Sequence, residues 1–191
     1  MYKRQVCELL NGHVQKHIFN AKARKYPSCL HASLTPLQID VKIYRNLIET
    51  VQKNLPALHR CMELRKEYLG VDELHFYDLY VSLVPEFNKK YTFDEAKKMT
   101  LESVAPLGEE YQGILKKGLY EERWVDPFEN ENKRSGGYSS GCYGSSPFIL
   151  MNFHGIHRDV STLAHEAGHS LHSFFSNNTQ PYPYPEYACF V

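Results

Sequence analysis

The first half of the chain carries two apolar stripes with the spacing of amphipathic α-helices. In residues 3–24 the stripe runs until the Tyr-Pro-Ser sequence at 26–28, and it consists of Val6, Leu9, Leu10, Val14, Ile18 and Ala21. From residue 40 to 69 a longer stripe ends at Gly70, and it consists of Val41, Tyr44, Leu47, Ile48, Val51, Leu55, Leu58, Met62 and Leu69. We therefore predict two amphipathic helices, the second with its stripe facing inward and with a kink at Pro56.

The pattern continues as shorter helices and then changes to strands. Thr92 and Glu95 form a capping box that predicts a helix to about Val104, and residues 107–110 lead into another helix that ends near residues 117–118. Residues 76–84 are apolar and aromatic, and their pattern leaves the type of element open.

After residue 126 the pattern changes again. Residues 136–144 are rich in Gly, Ser and Tyr and precede the apolar run 147–153, which predicts one or two strands. A last helix is predicted from Asp159, as its N-cap, to residues 177–178. The fold class is therefore mainly α, with a small β-hairpin or sheet before the last helix. We divide the chain into a helical portion (1–125), a strand and loop region (126–157), the last helix (158–177) and an end segment (178–191).

Composition narrows the class of protein. A hydrophobic content of 42% suffices for a core. Because 22 basic residues balance 22 acidic ones, the chain has no net charge that would attract nucleic acid or an anionic membrane. Five scattered cysteines without a CxxC pair indicate no disulfide framework. With neither a signal peptide nor an apolar run of about 18 residues, the sequence predicts a soluble cytoplasmic protein.

The last helix contains the sequence His165-Glu166-Ala167-Gly168-His169, an HExxH pattern. Residues four apart lie on one helix face, so His165 and His169 can take two positions of a tetrahedral zinc ion. Glu166 lies about 100° around the helix, close enough to accept a proton from water that the metal activates and to return it to a leaving amine. The alternative is a helix whose histidines bond only to neighbouring groups.

The remaining histidines give weaker signals. His172 follows His169 by three residues, and we predict that it supports the metal-binding histidines without binding the metal itself. We interpret His154 and His157 as satisfied or surface histidines. The pair His13 and His17 has the same i, i+4 spacing but no neighbouring carboxylate, and we interpret it as helix surface.

The Gly/Tyr segment 136–144 lacks both a phosphate-loop and a dinucleotide fingerprint. One interpretation is a strand edge whose backbone pairs with an extended peptide, and the other is an ordinary hairpin.

Several segments together resemble the oligoendopeptidase F family of bacterial zinc peptidases, which are related to the thimet-type oligopeptidases. The resemblance covers nearly the whole chain and is carried by residues 10–17, 77–80, 133–141 and 163–173. It implies a mostly helical, zincin-like fold around a deep channel, a cytoplasmic location, and the hydrolysis of internal bonds in short peptides.

The resemblance also implies roles for particular residues. His165 and His169 would bind one Zn²⁺ ion, and Glu166 would activate water. The substrate backbone would run along Gly137, Tyr138, Ser139, Gly141 and Tyr143.

The chain departs from the family pattern at its end. In the family the third zinc ligand is a glutamate on the next helix, just beyond the stretch that residues 187–191 resemble, and downstream His and Tyr residues stabilise the intermediate. We therefore expect a truncated chain that binds zinc weakly, is marginally stable and self-associates. A noncatalytic remnant or helical binding module is the alternative.

Overall fold

The computed structural model describes residues 2–84 and 89–187. The chain divides into two compact units, Met1–Pro85 and Glu86–Val191. The structure is mainly helical with one small sheet, which confirms the predicted fold class. No helix within the described residues is both long and apolar enough to cross a membrane.

The first unit contains the two long helices that the sequence predicts. Helix α1 spans Tyr2–Ala23, α2 spans Cys29–Leu34 and α3 spans Val41–Leu69, with 3₁₀ turns at Thr35–Leu37 and Phe76–Tyr80. The Asp40 carboxylate accepts a hydrogen bond from the Lys42 amide at the start of α3, and Gly70 ends that helix in the left-handed conformation. Pro56 lies inside α3, and its kink stays a prediction.

The prediction that the stripe of α3 faces inward is wrong, because no residue of α3 is buried. Val6, Leu9 and Leu10 of the α1 stripe are exposed as well. Among residues 2–84, only Ala21 and Leu34 belong to the buried apolar residues. The reason is a shortage of covering surface, because the six-residue α2 packs against both long helices and is too short to cover them.

The second unit contains α4 (Phe93–Ser103), a 3₁₀ turn (Ala105–Leu107), α5 (Glu109–Tyr120) and α6 (His157–Thr179). The capping box that opens α4 is confirmed, since Thr92 and Glu95 exchange their backbone-to-side-chain hydrogen bonds. Helix α6 begins two residues before the predicted N-cap. Asp159 is its third residue, and its Oδ2 accepts hydrogen bonds from the amides of His154 and Ile156. The carboxylate therefore caps the helix from inside its first turn.

Three short strands form the sheet in the order β1-β3-β2: β1 (Val125–Asp126), β2 (Tyr138–Ser140) and β3 (Phe148–Leu150). Strand β1 is parallel to β3, and β2 is antiparallel to it, with Ser139 opposite Ile149. Strand β2 therefore has a free edge in this sheet.

The core of the second unit lies between the sheet and the helices. It holds Leu115, Trp124, Ile149, Met151, Leu163 and Leu171, all nearly inaccessible to solvent. Trp124 packs beside Phe174 of α6, and a Cβ on Gly118 would overlap its indole ring. The indole Nε1 donates to Glu122, while Lys117 forms an ion pair of 2.7 Å with the same carboxylate. The pKa of Glu122 is lowered, mostly by the hydrogen bond from Lys117 and next by the hydrogen bond from Trp124.

Candidate active site

The two histidines of the HExxH pattern project from the same face of α6. Their Nε2 atoms are 3.1 Å apart, and their rings meet edge-on with centroids 4.7 Å apart. Both residues are exposed. The i, i+4 spacing brings the rings together because a helix advances about one turn in four residues.

Glu166 occupies a different environment on the same helix. It is 8% exposed, although both flanking histidines of the motif are accessible. A Cβ on Gly137 would lie 3.9 Å from Glu166 Cγ, so the backbone just before β2 covers this side chain. The Glu166 side chain is thus buried between α6 and the backbone that enters β2, next in sequence to the first histidine of the pair.

Contacts between β2 and α6 fix this arrangement. The hydroxyls of Ser139 and Ser170 are hydrogen-bonded at 2.8 Å, and Ser170 is fully buried. A Cβ on Gly137 would stand 3.0 Å from Thr162 Cγ2, which is closer than a side chain normally packs. A glycine at this position therefore allows the chain entering β2 to lie directly on α6.

The segment that follows β2 lines a cavity of about 530 Å³. Tyr143 hydrogen-bonds through its hydroxyl to the Gln180 carbonyl at 3.1 Å, and its ring meets Tyr182 edge-on. The cavity is lined by Gly141, Cys142, Tyr143, Ser173, Asn177, Tyr182, Pro183, Pro185, Glu186 and Tyr187. Of the five residues predicted to follow a substrate, Gly141 and Tyr143 line this cavity, and Gly137, Tyr138 and Ser139 lie along or just before β2.

His172 lies one turn beyond His169, and its ring is stacked on another residue. The imidazole lies parallel to the Tyr187 ring with centroids 3.6 Å apart, and the Tyr187 hydroxyl is 3.5 Å from Ser173 Oγ. These contacts attach the segment before the chain end to α6. That His172 supports the metal ligands stays a prediction.

The structure adds three residues that the sequence did not single out. Ser170 and Tyr187 make the contacts described above, and Asn152 donates from Nδ2 to the carbonyls of Arg134 and Gly136 at 2.9 and 3.0 Å. Asn152 thereby stabilises the turn at residues 134–136, which places Gly137 against α6. Ser170 could have been suspected because it lies one turn after Glu166, whereas the other two depend on contacts distant in sequence.

The histidine pair fits a metal ion only in part. The two Nε2 atoms, 3.1 Å apart, are close enough together that both could bind one metal ion. However, no group of three His, Cys, Asp or Glu side chains within residues 2–84 and 89–187 is placed to hold a metal. The described residues thus supply two ligands and an adjacent carboxylate.

Comparisons with known proteins agree with the resemblance seen in the sequence. The model of peptidase family M3 matches residues 1–191. Oligopeptidase PepF of Bacillus subtilis is 50% identical over 190 residues, which is 100% of this chain and 28% of that protein. An oligoendopeptidase F homolog of Borreliella burgdorferi is 44% identical over 186 residues, 97% of this chain and 32% of that protein.

A solved structure from Chlamydophila abortus agrees in sequence and in fold. It has a TM-score of 0.78 and 46% identity, and the match covers 100% of this chain and 32% of that one. The chain thus spans about a third or less of the length of the relatives it matches. Because the family model matches the entire chain, the chain belongs to peptidase family M3.

Proposed function

We propose that this chain carries the catalytic core of a zinc-dependent endopeptidase that hydrolyses internal bonds of short peptides. One observation carries the proposal: on α6 a histidine pair with nitrogens 3.1 Å apart is next in sequence to a glutamate that is buried against the backbone entering β2. Membership of peptidase family M3 supports the same reaction class.

In this proposal His165 and His169 hold the zinc ion through Nε2, and a further ligand comes from outside the described residues. A bound zinc ion lowers the pKa of water and polarises the carbonyl of the peptide. Both imidazoles are exposed on α6, which leaves open the side from which water and substrate approach.

Glu166 acts as the general base and then as the general acid. Its carboxylate accepts a proton from the attacking water and returns it to the amine that leaves when the peptide bond breaks. The close approach of the backbone at Gly137 restricts this side chain, which supports a fixed position for the carboxylate. This restriction is useful because proton transfer requires hydrogen-bond distance throughout the reaction.

The peptide substrate binds in an extended conformation along β2. The outer edge of that strand offers backbone N–H and C=O groups, so a peptide can add as a further strand regardless of its sequence. In this arrangement Gly137, Tyr138 and Ser139 contact the peptide near Glu166. Gly141 and Tyr143 contact side chains that enter the adjoining cavity.

The test is the Glu166→Gln substitution in the gene product that carries this chain. We expect the cleavage of short peptides to fall by about 10²–10⁴-fold while zinc content stays unchanged, because the amide cannot accept the proton. Glu131→Gln, at an exposed residue away from α6, is the matched control and should keep the wild-type rate. A Glu166→Gln protein that cleaves at the wild-type rate refutes the role of this residue.

The second candidate function is a noncatalytic binding module. It is favoured by the finding that no third ligating side chain joins the pair within residues 2–84 and 89–187. This alternative requires that the wild-type gene product binds peptides without cleaving them, even with zinc added. The cytoplasmic location, the lack of nucleic-acid and membrane partners and self-association stay predictions of the sequence.

A further inference from the structure

A second histidine pair lies on α1, in the other compact unit. His13 and His17 have Nε2 atoms 3.0 Å apart, and their rings meet edge-on with centroids 4.6 Å apart. Both residues are exposed. This geometry matches that of the α6 pair within 0.1 Å in both distances.

The distance between the nitrogens suits a metal chelate. For an ion about 2.05 Å from each Nε2, the angle between the two metal–nitrogen bonds would be about 94°. This is close to the 90° between neighbouring ligands in square-planar or octahedral coordination. The two rings already converge without an ion, so little side-chain freedom remains to be lost on binding.

The surroundings restrict which ions can bind. Glu8 is the only acidic residue of α1, and it lies five positions before His13. No third His, Cys, Asp or Glu completes a group with this pair within residues 2–84 and 89–187. Ca²⁺ and Mg²⁺ require several oxygen ligands, whereas imidazole nitrogens favour Cu²⁺, Ni²⁺ and Zn²⁺.

We propose that His13 and His17 form a second metal site, which binds a divalent first-row transition-metal ion through two imidazoles. The remaining coordination positions are filled by water. Affinity follows the order in which imidazole ligands generally bind these ions, with Cu²⁺ above Ni²⁺ and Zn²⁺. The site is independent of the pair on α6 and has no role in peptide hydrolysis, because no carboxylate follows His13 as Glu166 follows His165.

The test is a calorimetric titration with nickel chloride. In the gene product with His165→Ala and His169→Ala, the α1 pair is the one i, i+4 histidine pair left in residues 1–191, and we expect it to bind one equivalent of Ni²⁺. Adding His13→Ala or His17→Ala should weaken this binding at least tenfold, since one imidazole cannot chelate. Unchanged binding after either substitution, or no binding to the starting variant, overturns the proposal.

A matched control separates chelation from histidine content. Exchanging two residues, Gln15→His with His17→Gln, keeps the composition but sets the histidines two positions apart, where they do not face each other. This variant should lose binding as His17→Ala does, and His59→Ala, at an exposed histidine of α3, should keep it. Far-UV circular dichroism verifies that α1 stays helical in each variant. Because α6 is disabled throughout, the result does not depend on the proposed peptidase activity.

Discussion

The two histidine pairs have nearly identical geometry and very different surroundings. On α6 the residue after the first histidine is Glu166, which is 8% exposed beneath the backbone that enters β2. On α1 the corresponding residue is Val14, which is 45% exposed. The comparison teaches that helical spacing is sufficient to bring two imidazole nitrogens within about 3 Å of each other. A catalytic centre requires in addition a base and a surface that positions the substrate.

The helices that carry the pairs differ as well. The buried residues of α6 include Val160, Leu163, Ala167 and Leu171, and the helix packs against α4, α5, β2 and β3. The only buried residue of α1 is Ala21. A side chain on α6 is therefore held by its neighbours, whereas one on α1 is held by its own helix.

The largest expected effect comes from giving α1 the sequence of the catalytic motif. Val14→Glu converts residues 13–17 to an HExxH pattern. In a Glu166→Gln background we expect it to restore no hydrolysis, leaving the rate about 10²–10⁴-fold below wild type, because position 14 is 45% exposed and a carboxylate there is not held in place as Glu166 is. Peptide cleavage is the measurement. Any rescue would show that the motif is sufficient without the sheet.

A second experiment weakens the packing that supports α6. Gly118→Ala forces a Cβ into the Trp124 indole, and we expect a loss of about 1–3 kcal/mol in the free energy of unfolding. Gly113→Ala on the same helix is the control. A Cβ there meets nothing within 4 Å, so this change should stabilise by about 0.5–1 kcal/mol. Urea denaturation measures both. Nickel binding at His13 and His17 should be unchanged, and equal effects of the two substitutions would contradict the packing argument.

A third experiment tests the hydrogen bond between β2 and α6. Ser139→Ala leaves the fully buried Ser170 hydroxyl without this partner and should cost about 1–3 kcal/mol of stability. The double variant Ser139→Ala with Ser170→Ala removes both polar groups and should be closer to wild type. Thermal or urea denaturation of the three variants completes a double-mutant cycle. Additive losses would show that this contact does not couple strand and helix.

The smallest expected effect is a pH dependence of the core beside α6. The hydrogen bond from Lys117 lowers the pKa of Glu122 below its ordinary value of 4.5. A lowered pKa gives stability that is present above pH 4.5 and is lost as the pH falls through the folded value. The contribution should be below about 1 kcal/mol, since the pair is solvent-accessible. Urea titrations of wild type and Glu122→Gln between pH 3 and 7 should converge at the acidic end, and a constant difference would contradict this source of stability.

Sequence reasoning succeeded where the information is local. The Thr92 capping box, the end of α3 at Gly70 and the helix around Glu166 follow from residues a few positions apart, and each is confirmed. It failed for the orientation of the stripe on α3, because periodicity identifies an apolar face but not the element that covers it. It also placed the start of α6 two residues too late, since Asp159 caps from inside the first turn.

The sequence by itself determined the family, the helices and the convergence of His165 with His169, because an i, i+4 pair is a property of one helix. Only the tertiary structure decided that Glu166, the carboxylate next to His165, is buried against the backbone that enters β2. Gly137, Ser139 and Asn152 reach α6 or its neighbouring turn through contacts between residues that are far apart in sequence. Such contacts depend on how separate elements pack, and no local pattern of apolar and polar residues specifies that packing.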